Sequence, residues 1–159
     1  MRAMKDATTE FLAKKRIAVT GVSRNPKGHG SNLVYQRLRT RGYDVFAINP
    51  NADEVEGGDP CYHDLKSVPD GVEAVVIGTR PETADATMRD CAELGIRHVW
   101  MHRGPGPGSV SESASAYGRE QGINVIDGGC PLMFGPTADF GHKCMKVVFT
   151  LTGAVPRNV

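Results

Sequence analysis

The sequence predicts an α/β fold: a three-layer sandwich in which a mostly parallel sheet lies between helices, with a further helix near each end of the chain. Short, apolar, β-branched segments alternate with segments whose apolar residues recur at helical spacing. Strands that alternate with helices form parallel sheets with crossovers on both faces. Because 159 residues suit one core, we expect a single domain over residues 1–159, with residues 132–159 as a C-terminal extension packed on it.

Six segments have the character of strands, which are short, apolar and bounded by turn residues. The third is brief, because it lies in an irregular stretch that contains two adjacent glycines. The six segments span residues 17–20, 43–48, 61–62, 72–78, 97–101 and 122–126. For the first five we expect the order 3-2-1-4-5 in the sheet.

Turn and capping signals place five helices around these strands. Pro81 suits the first position of a helix, whereas Gly42 and Gly95 suit the residue just past a helix end. The N-terminal helix is short and amphipathic, so we expect it to pack on the sheet edge. The predicted helices span 4–14, 31–41, 81–94, Ser109 or Ser111 through Tyr117, and 139–151.

The composition limits the partners that the protein can have. A net charge of +1 gives no reason to expect nucleic acid or an anionic membrane as a partner. No apolar run is long enough to span a bilayer, and residues 1–15 lack the apolar core of a signal peptide. We therefore expect a cytoplasmic protein.

Four cysteines are scattered along the chain, and none of them forms a C-x-x-C pair. This spacing favours neither a zinc knuckle nor a redox pair. A chain of this size with an ample core also has no need of a disulfide framework. We expect reduced, mostly buried thiols and no metal site.

The most informative stretch runs from Arg16 to Ser31, with the sequence RIAVTGVSRNPKGHGS. A buried strand is followed at once by Gly21, then by a polar loop, then by a helix. A helix N-terminus has unpaired N–H groups and a partial positive charge, which attract phosphate, and glycine lets the backbone approach a ligand. The usual dinucleotide fingerprint has its second glycine where this chain has Ser23. The loop is therefore longer and adds other donors: Ser23, Arg24, Asn25 and Lys27.

Ligands of parallel sheets bind beyond the carboxyl ends of the strands, where five loops of this chain converge on one rim. These loops supply arginines and small residues but few acids, which suits a ligand with several phosphates. Taken alone, each arginine is explained by solvation at the surface, so the inference rests on their convergence. The candidate binding residues are Gly21, Val22, Ser23, Arg24, Asn25, Lys27, Asn49, Pro50, Thr79, Arg80, Pro81, His102, Arg103, Cys130 and Pro131.

Asn49 ends the second strand, at the place where an NAD site has an acidic residue for the ribose hydroxyls. This weakens an NAD(P) site without excluding it. A small NAD(P)-dependent oxidoreductase, with His102 or Tyr117 as proton donor, is therefore the alternative function. No nucleophile–base–carboxylate pattern is visible from the spacing of residues, so we expect binding without catalysis.

Five segments together resemble a known family: IAVTGVSRNP, AINP, GGDPCYHDLKSVP, VVIGTRPE and GINVIDGGCP. The family comprises CoA-binding domain proteins related to the N-terminal domain of the succinyl-CoA ligase alpha subunit, and the resemblance covers about residues 15–131. It implies a Rossmann-like fold with coenzyme A or an acyl-CoA as ligand. By position it implies that residues 21–24 meet the phosphates and that the groove is lined by Asn49, Pro50, Thr79, Arg80, Cys130 and Pro131.

The ligase also needs a phosphorylated histidine and a second domain that lie beyond this domain, so the resemblance implies no ligase activity. With CoA in the groove, the pantetheine arm could reach Cys130 and form a mixed disulfide. A module that switches a partner protein on binding acyl-CoA is a third hypothesis. A homodimer through the C-terminal helix is compatible with all three.

Overall fold

The structure, a computed structural model, describes residues 1–27, 30–135 and 138–159. Its strands are β1 (Arg16–Thr20), β2 (Asp44–Ile48), β3 (Cys61–Tyr62), β4 (Ala74–Ile77), β5 (His98–Met101) and β6 (Asn124–Asp127). They form one sheet in the order β3-β2-β1-β4-β5-β6, with parallel pairing at every step. The predicted order is confirmed, and β6 extends the sheet beyond β5.

Within the described residues, five helices connect and flank these strands, as predicted. They are α1 (Met4–Leu12), α2 (Gly30–Thr40), α3 (Pro81–Glu93), α4 (Glu112–Glu120) and α5 (Phe140–Thr152). Pro81 is the first residue of α3, and the Ser111 side chain caps α4 by accepting a hydrogen bond from the Ala114 N–H. Short 3-10 turns occur at Glu56–Gly58, Leu65–Ser67 and Pro131–Met133.

Alternate residues of each strand face opposite sides of the sheet, which produces two hydrophobic clusters. On one side, Ile17 and Val19 of β1 pack with α1 and α2. On the other side, Ala18 and Val75 pack with α3 and α4. The sheet is therefore covered by helices on both faces, which confirms the three-layer α/β fold.

Trp100 of β5 links the N-terminal helix to the segment that follows β6. Its ring is fully buried, with Phe11 of α1 edge-on at 5.3 Å and Phe134 at 5.5 Å between ring centroids. Its indole N–H donates a hydrogen bond of 2.9 Å to the Gly128 carbonyl oxygen. Helix α1 also contacts the edge strand β6, as expected.

Helix α5 begins and ends where its sequence signals indicate. The Asp139 carboxylate accepts a hydrogen bond of 2.8 Å from the His142 N–H at the N-terminus, and Gly153 follows the last turn with φ +82°. The inner face of α5 carries Met145 and Phe149, which pack against the first hydrophobic cluster. Within the described ranges, no helix combines the length and the apolarity needed to cross a membrane.

Candidate functional site

The segments that follow the neighbouring parallel strands β1 and β4 lie in close contact. The Ser31 hydroxyl donates a hydrogen bond of 3.0 Å to the Gly78 carbonyl oxygen, and the Gly78 N–H donates to the Thr20 hydroxyl at 3.1 Å. A Cβ on Gly21 would lie 2.8 Å from the Gly78 carbonyl oxygen, and Gly21 also has φ +79°. Glycine is therefore required where α2 meets the sheet, and the backbone is close-packed at the predicted ligand edge.

Asn32, in the first turn of α2, fixes the start of the loop that follows β1. Its side-chain oxygen accepts a hydrogen bond of 2.8 Å from the Ser23 N–H, and its amide donates one of 2.7 Å to the Ser23 carbonyl oxygen. Beyond Ser23 the loop is held by local turns and its residues Arg24, Asn25 and Lys27 are exposed. Gly28 and His29, which complete the loop, lie outside the described residues.

Asn49 joins the exit of β2 to the exit of β1. Its side-chain amide donates a hydrogen bond of 2.8 Å to the Val22 carbonyl oxygen, while its side-chain oxygen accepts one from the Asn51 N–H. An aspartate could not donate the first of these bonds, which explains why an amide stands where NAD sites have an acid. Pro50 is exposed, whereas the Val22 side chain is fully buried.

A hollow of about 430 Å³, here called the central hollow, opens between the N-terminus of α2 and the loops after β4 and β5. No carboxylate occurs among the described residues that line it, and the positive end of the α2 dipole is directed at it. The lining therefore favours an anion. It comprises Gly30, Ser31, Gly78, Thr79, Arg80, His102, Gly104, Pro105, Gly108 and Ser109.

Thr79 and Arg80 are two lining residues whose side chains have no hydrogen-bond or ion-pair partner within the described part of the chain. The Thr79 hydroxyl oxygen is buried and has no hydrogen-bond partner within the described ranges, and an unsatisfied buried hydroxyl costs about 1–3 kcal/mol. Arg80 is exposed at the N-terminal boundary of α3, and none of the ion pairs found in the described part of the chain involves it. The Arg80 guanidinium is therefore accessible to a ligand, whereas the Thr79 hydroxyl oxygen lies beneath the surface of the central hollow.

His102 lies in the wall of the central hollow, and burial lowers its pKa to about 4. The imidazole is therefore neutral at pH 7 and can donate and accept hydrogen bonds, but it adds no positive charge. Its backbone N–H donates to the Ile77 carbonyl oxygen at 3.0 Å, which holds the residue in line with β4.

The depressed pKa of His102 predicts a loss of stability in acid. Between about pH 6.5, the unfolded value, and about pH 4, the unfolded chain binds a proton that the folded protein does not, so the free energy of unfolding falls as the pH falls. At about 1.4 kcal/mol per pKa unit, the full effect is about 3 kcal/mol. Urea unfolding at several pH values should show a shallower acid slope for His102→Gln than for the parent protein, and equal slopes would contradict the prediction.

The remaining candidate residues lie outside the central hollow. Arg103 is turned towards its own loop, where its Nε donates to the Gly106 carbonyl oxygen at 3.2 Å. Pro81 starts α3 but is not part of the lining. Tyr117, a candidate proton donor, packs beneath Arg89 at 4.8 Å and does not line the central hollow either.

Cys130 and Pro131 are buried, with Cys130 in the first hydrophobic cluster. Burial raises the pKa of the Cys130 thiol to about 11, so the thiol is protonated at neutral pH and poorly nucleophilic. This placement weighs against a mixed disulfide with a ligand at the rim. Three of the four cysteines are buried and all four are free, as expected.

The structure thus brings Thr79, Arg80 and His102 together, and it adds Ser31 and Ser109, which sequence reasoning missed. The position of Ser31 at a helix start was a usable signal, but nothing in the sequence indicated Ser109. No cluster of three or more potential metal ligands occurs among the residues that could be described.

A scan against family models matches the CoA binding domain over residues 15–136. The chain belongs to the CoA-binding domain family. The resemblance noted from the five sequence segments is therefore confirmed. The matched region contains all six strands of the sheet, from β1 to β6.

Relatives within this family differ greatly in length. An ADP-forming acetate–CoA ligase II of Archaeoglobus fulgidus is 32% identical over 90 residues, which are 55% of this chain but only 13% of the ligase. The uncharacterized protein YneT of Bacillus subtilis is 29% identical over 112 residues, 70% of this chain and 78% of YneT. The solved structure of a hypothetical protein from Pyrococcus horikoshii shares the fold, with a TM-score of 0.72, 26% identity, and coverage of 80% of this chain and 86% of that one.

Proposed function

We propose that this protein binds coenzyme A or an acyl-CoA at the central hollow, with the diphosphate held at the N-terminus of α2 and beside Arg80. The observation that carries the proposal is a hollow with no carboxylate in its described lining, where a helix N-terminus, a guanidinium and the Thr79 hydroxyl, unpartnered among the described residues, converge. Backbone N–H groups at a helix N-terminus and arginine side chains are the groups that proteins use for phosphates. Membership of the CoA-binding domain family supports CoA over other polyanions.

The same geometry supports binding without turnover. His102 is the only titratable acid–base side chain in the described lining besides Arg80, and no carboxylate there orients or polarises its ring. Its pKa of about 4 also makes it a weak base at neutral pH. Acetyl-CoA should therefore remain intact when incubated with the protein.

Calorimetric titration with CoA, acetyl-CoA, NAD and NADP tests the proposal. We expect CoA to bind, and we expect Arg80→Glu to weaken that binding by about 10- to 100-fold, because a charge-assisted hydrogen bond is worth about 1.5–3 kcal/mol. Arg37→Glu is the matched control, since Arg37 is an exposed residue in the last turn of α2, away from the central hollow. Binding of the nicotinamide dinucleotides without binding of CoA would refute the proposal.

A further inference from the structure

The outer face of α5 is apolar and exposed. Phe140, Val147, Val148 and Leu151 are 82%, 61%, 53% and 76% exposed. On a helix with 3.6 residues per turn they fall, together with the exposed Cys144, within an arc of about 100°. This arc, here called the α5 stripe, lies opposite the inner face that carries Met145 and Phe149.

The α5 stripe presents a continuous apolar area. Its four large apolar side chains together expose roughly 500 Å², which is within the range of roughly 300–600 Å² for the largest apolar patch of a soluble protein, and patches of that size are often functional. If two copies covered each other's stripes, roughly 1,000 Å² would be removed from water, which is the lower limit for a specific interface. The flanking parts of Lys143 and Cys144 would add to it.

The spacing of the α5 stripe is self-complementary. Phe140, Cys144, Val147 and Leu151 are separated by 4, 3 and 4 positions, which is the spacing of a coiled-coil seam and is the same in either direction. An antiparallel pair of helices would set Phe140 against the partner's Leu151. It would also set Cys144 against the partner's Val147.

The charges of α5 are compatible with this pairing. In the same register Lys143 lies opposite the partner's Val148, so no lysine faces a lysine directly. Antiparallel packing also brings each helix N-terminus to the C-terminus of its neighbour, which aligns the helix dipoles favourably. The net charge of +1 gives two copies little reason to repel each other.

We propose that the α5 stripe is a homodimer interface, in which the α5 helices of two copies pack antiparallel about a two-fold axis. The surface fits a second copy of this chain because both its spacing and its area match what such a symmetric contact requires. The proposal is independent of any ligand at the central hollow.

Analytical ultracentrifugation of the full chain tests the interface. We expect a dimer with micromolar affinity, and we expect the double variant Val147→Glu, Leu151→Glu to be monomeric at about 100 µM, with an unchanged far-ultraviolet spectrum. Leu94→Glu is the matched control, because Leu94 is also an exposed leucine (43%) but lies just past α3. A monomeric parent protein at that concentration, or a dimer that survives the double variant, would overturn the proposal.

Cys144 provides a second measurement that does not depend on a disruptive substitution. It is exposed, whereas the other three cysteines are buried. In the antiparallel register the two Cys144 residues are offset by about 4.5 Å along the axes of helices about 8–10 Å apart. A short bismaleimide should therefore give a covalent dimer in the parent protein and none in Cys144→Ser, and a parent protein that stays uncrosslinked would count against the interface.

Discussion

Gly78→Ala should destabilise the protein by about 3 kcal/mol and should abolish binding at the central hollow. A Cβ at this position would lie 2.0 Å from the Ser31 hydroxyl oxygen and 2.7 Å from the Thr20 carbonyl oxygen. The hydroxyl can rotate away, but the carbonyl belongs to the backbone of β1, so the exits of β1 and β4 must separate. Urea unfolding and CoA titration measure the two effects.

Gly118→Ala is the control for this substitution. Its Cβ would also be crowded, at 2.7 Å from a Val125 methyl group and 2.8 Å from the Met88 sulfur. These are the ends of side chains, and methionine in particular adapts its shape, so we expect a loss of about 1 kcal/mol with CoA binding retained.

Combining Gly78→Ala with Ser31→Ala should restore only part of the stability, because the Thr20 carbonyl remains. If the Gly78→Ala variant were as stable as the parent protein, the close contact between Gly78 and the end of β1 would not constrain this position as argued.

Trp100→Ala should cost about 4 kcal/mol, because it removes a fully buried ring between two other aromatic rings and leaves a large cavity. Trp100→Phe keeps most of the volume but loses the indole N–H, so the Gly128 carbonyl oxygen is left without that donor. We expect Trp100→Phe to cost about 2 kcal/mol.

Circular dichroism is the appropriate signal for these variants, since Trp100 is the only tryptophan in the chain and fluorescence would be lost with it. Phe46→Ala is a useful comparison, because Phe46 is a half-buried aromatic residue that lies beneath the Arg16 guanidinium. It should cost less than Trp100→Ala. The reverse order would mean that Trp100 is not the centre of this cluster.

The fold could be predicted from local patterns because each of its elements carries its own signal. The strands are short β-branched runs, Pro81 marks a helix start, and Asp139 and Gly153 delimit α5 by capping chemistry that acts within one turn. Parallel pairing then follows from the alternation of elements, because a helical crossover returns the chain to the same end of the sheet. The alternation does not fix the strand order, since doubly wound sheets occur with more than one order, of which 3-2-1-4-5 is a common one.

The candidate site was only partly predictable, because its geometry depends on contacts between distant segments. Rim loops could be named, but no local rule indicated that Asn32 would hold Ser23 through both its side-chain atoms or that Ser109 would reach the central hollow. Cys130 is an example of a residue whose position was misleading. It follows a strand, as a residue that contacts a ligand would, yet its side chain packs in the core.

The backbones of Arg2 and Val159 are joined by two hydrogen bonds of 2.8 Å, one in each direction, and Ala3 and Asn158 form a β-bridge beside them. A peptide of a few residues would therefore be enough to join residues 2 and 159 covalently. Such a closed chain could be opened at an exposed turn such as Gly57-Gly58, giving a circular permutant in which α1 and α5 are connected directly. The N-terminal and C-terminal residues of this sequence therefore lie next to each other in the folded protein.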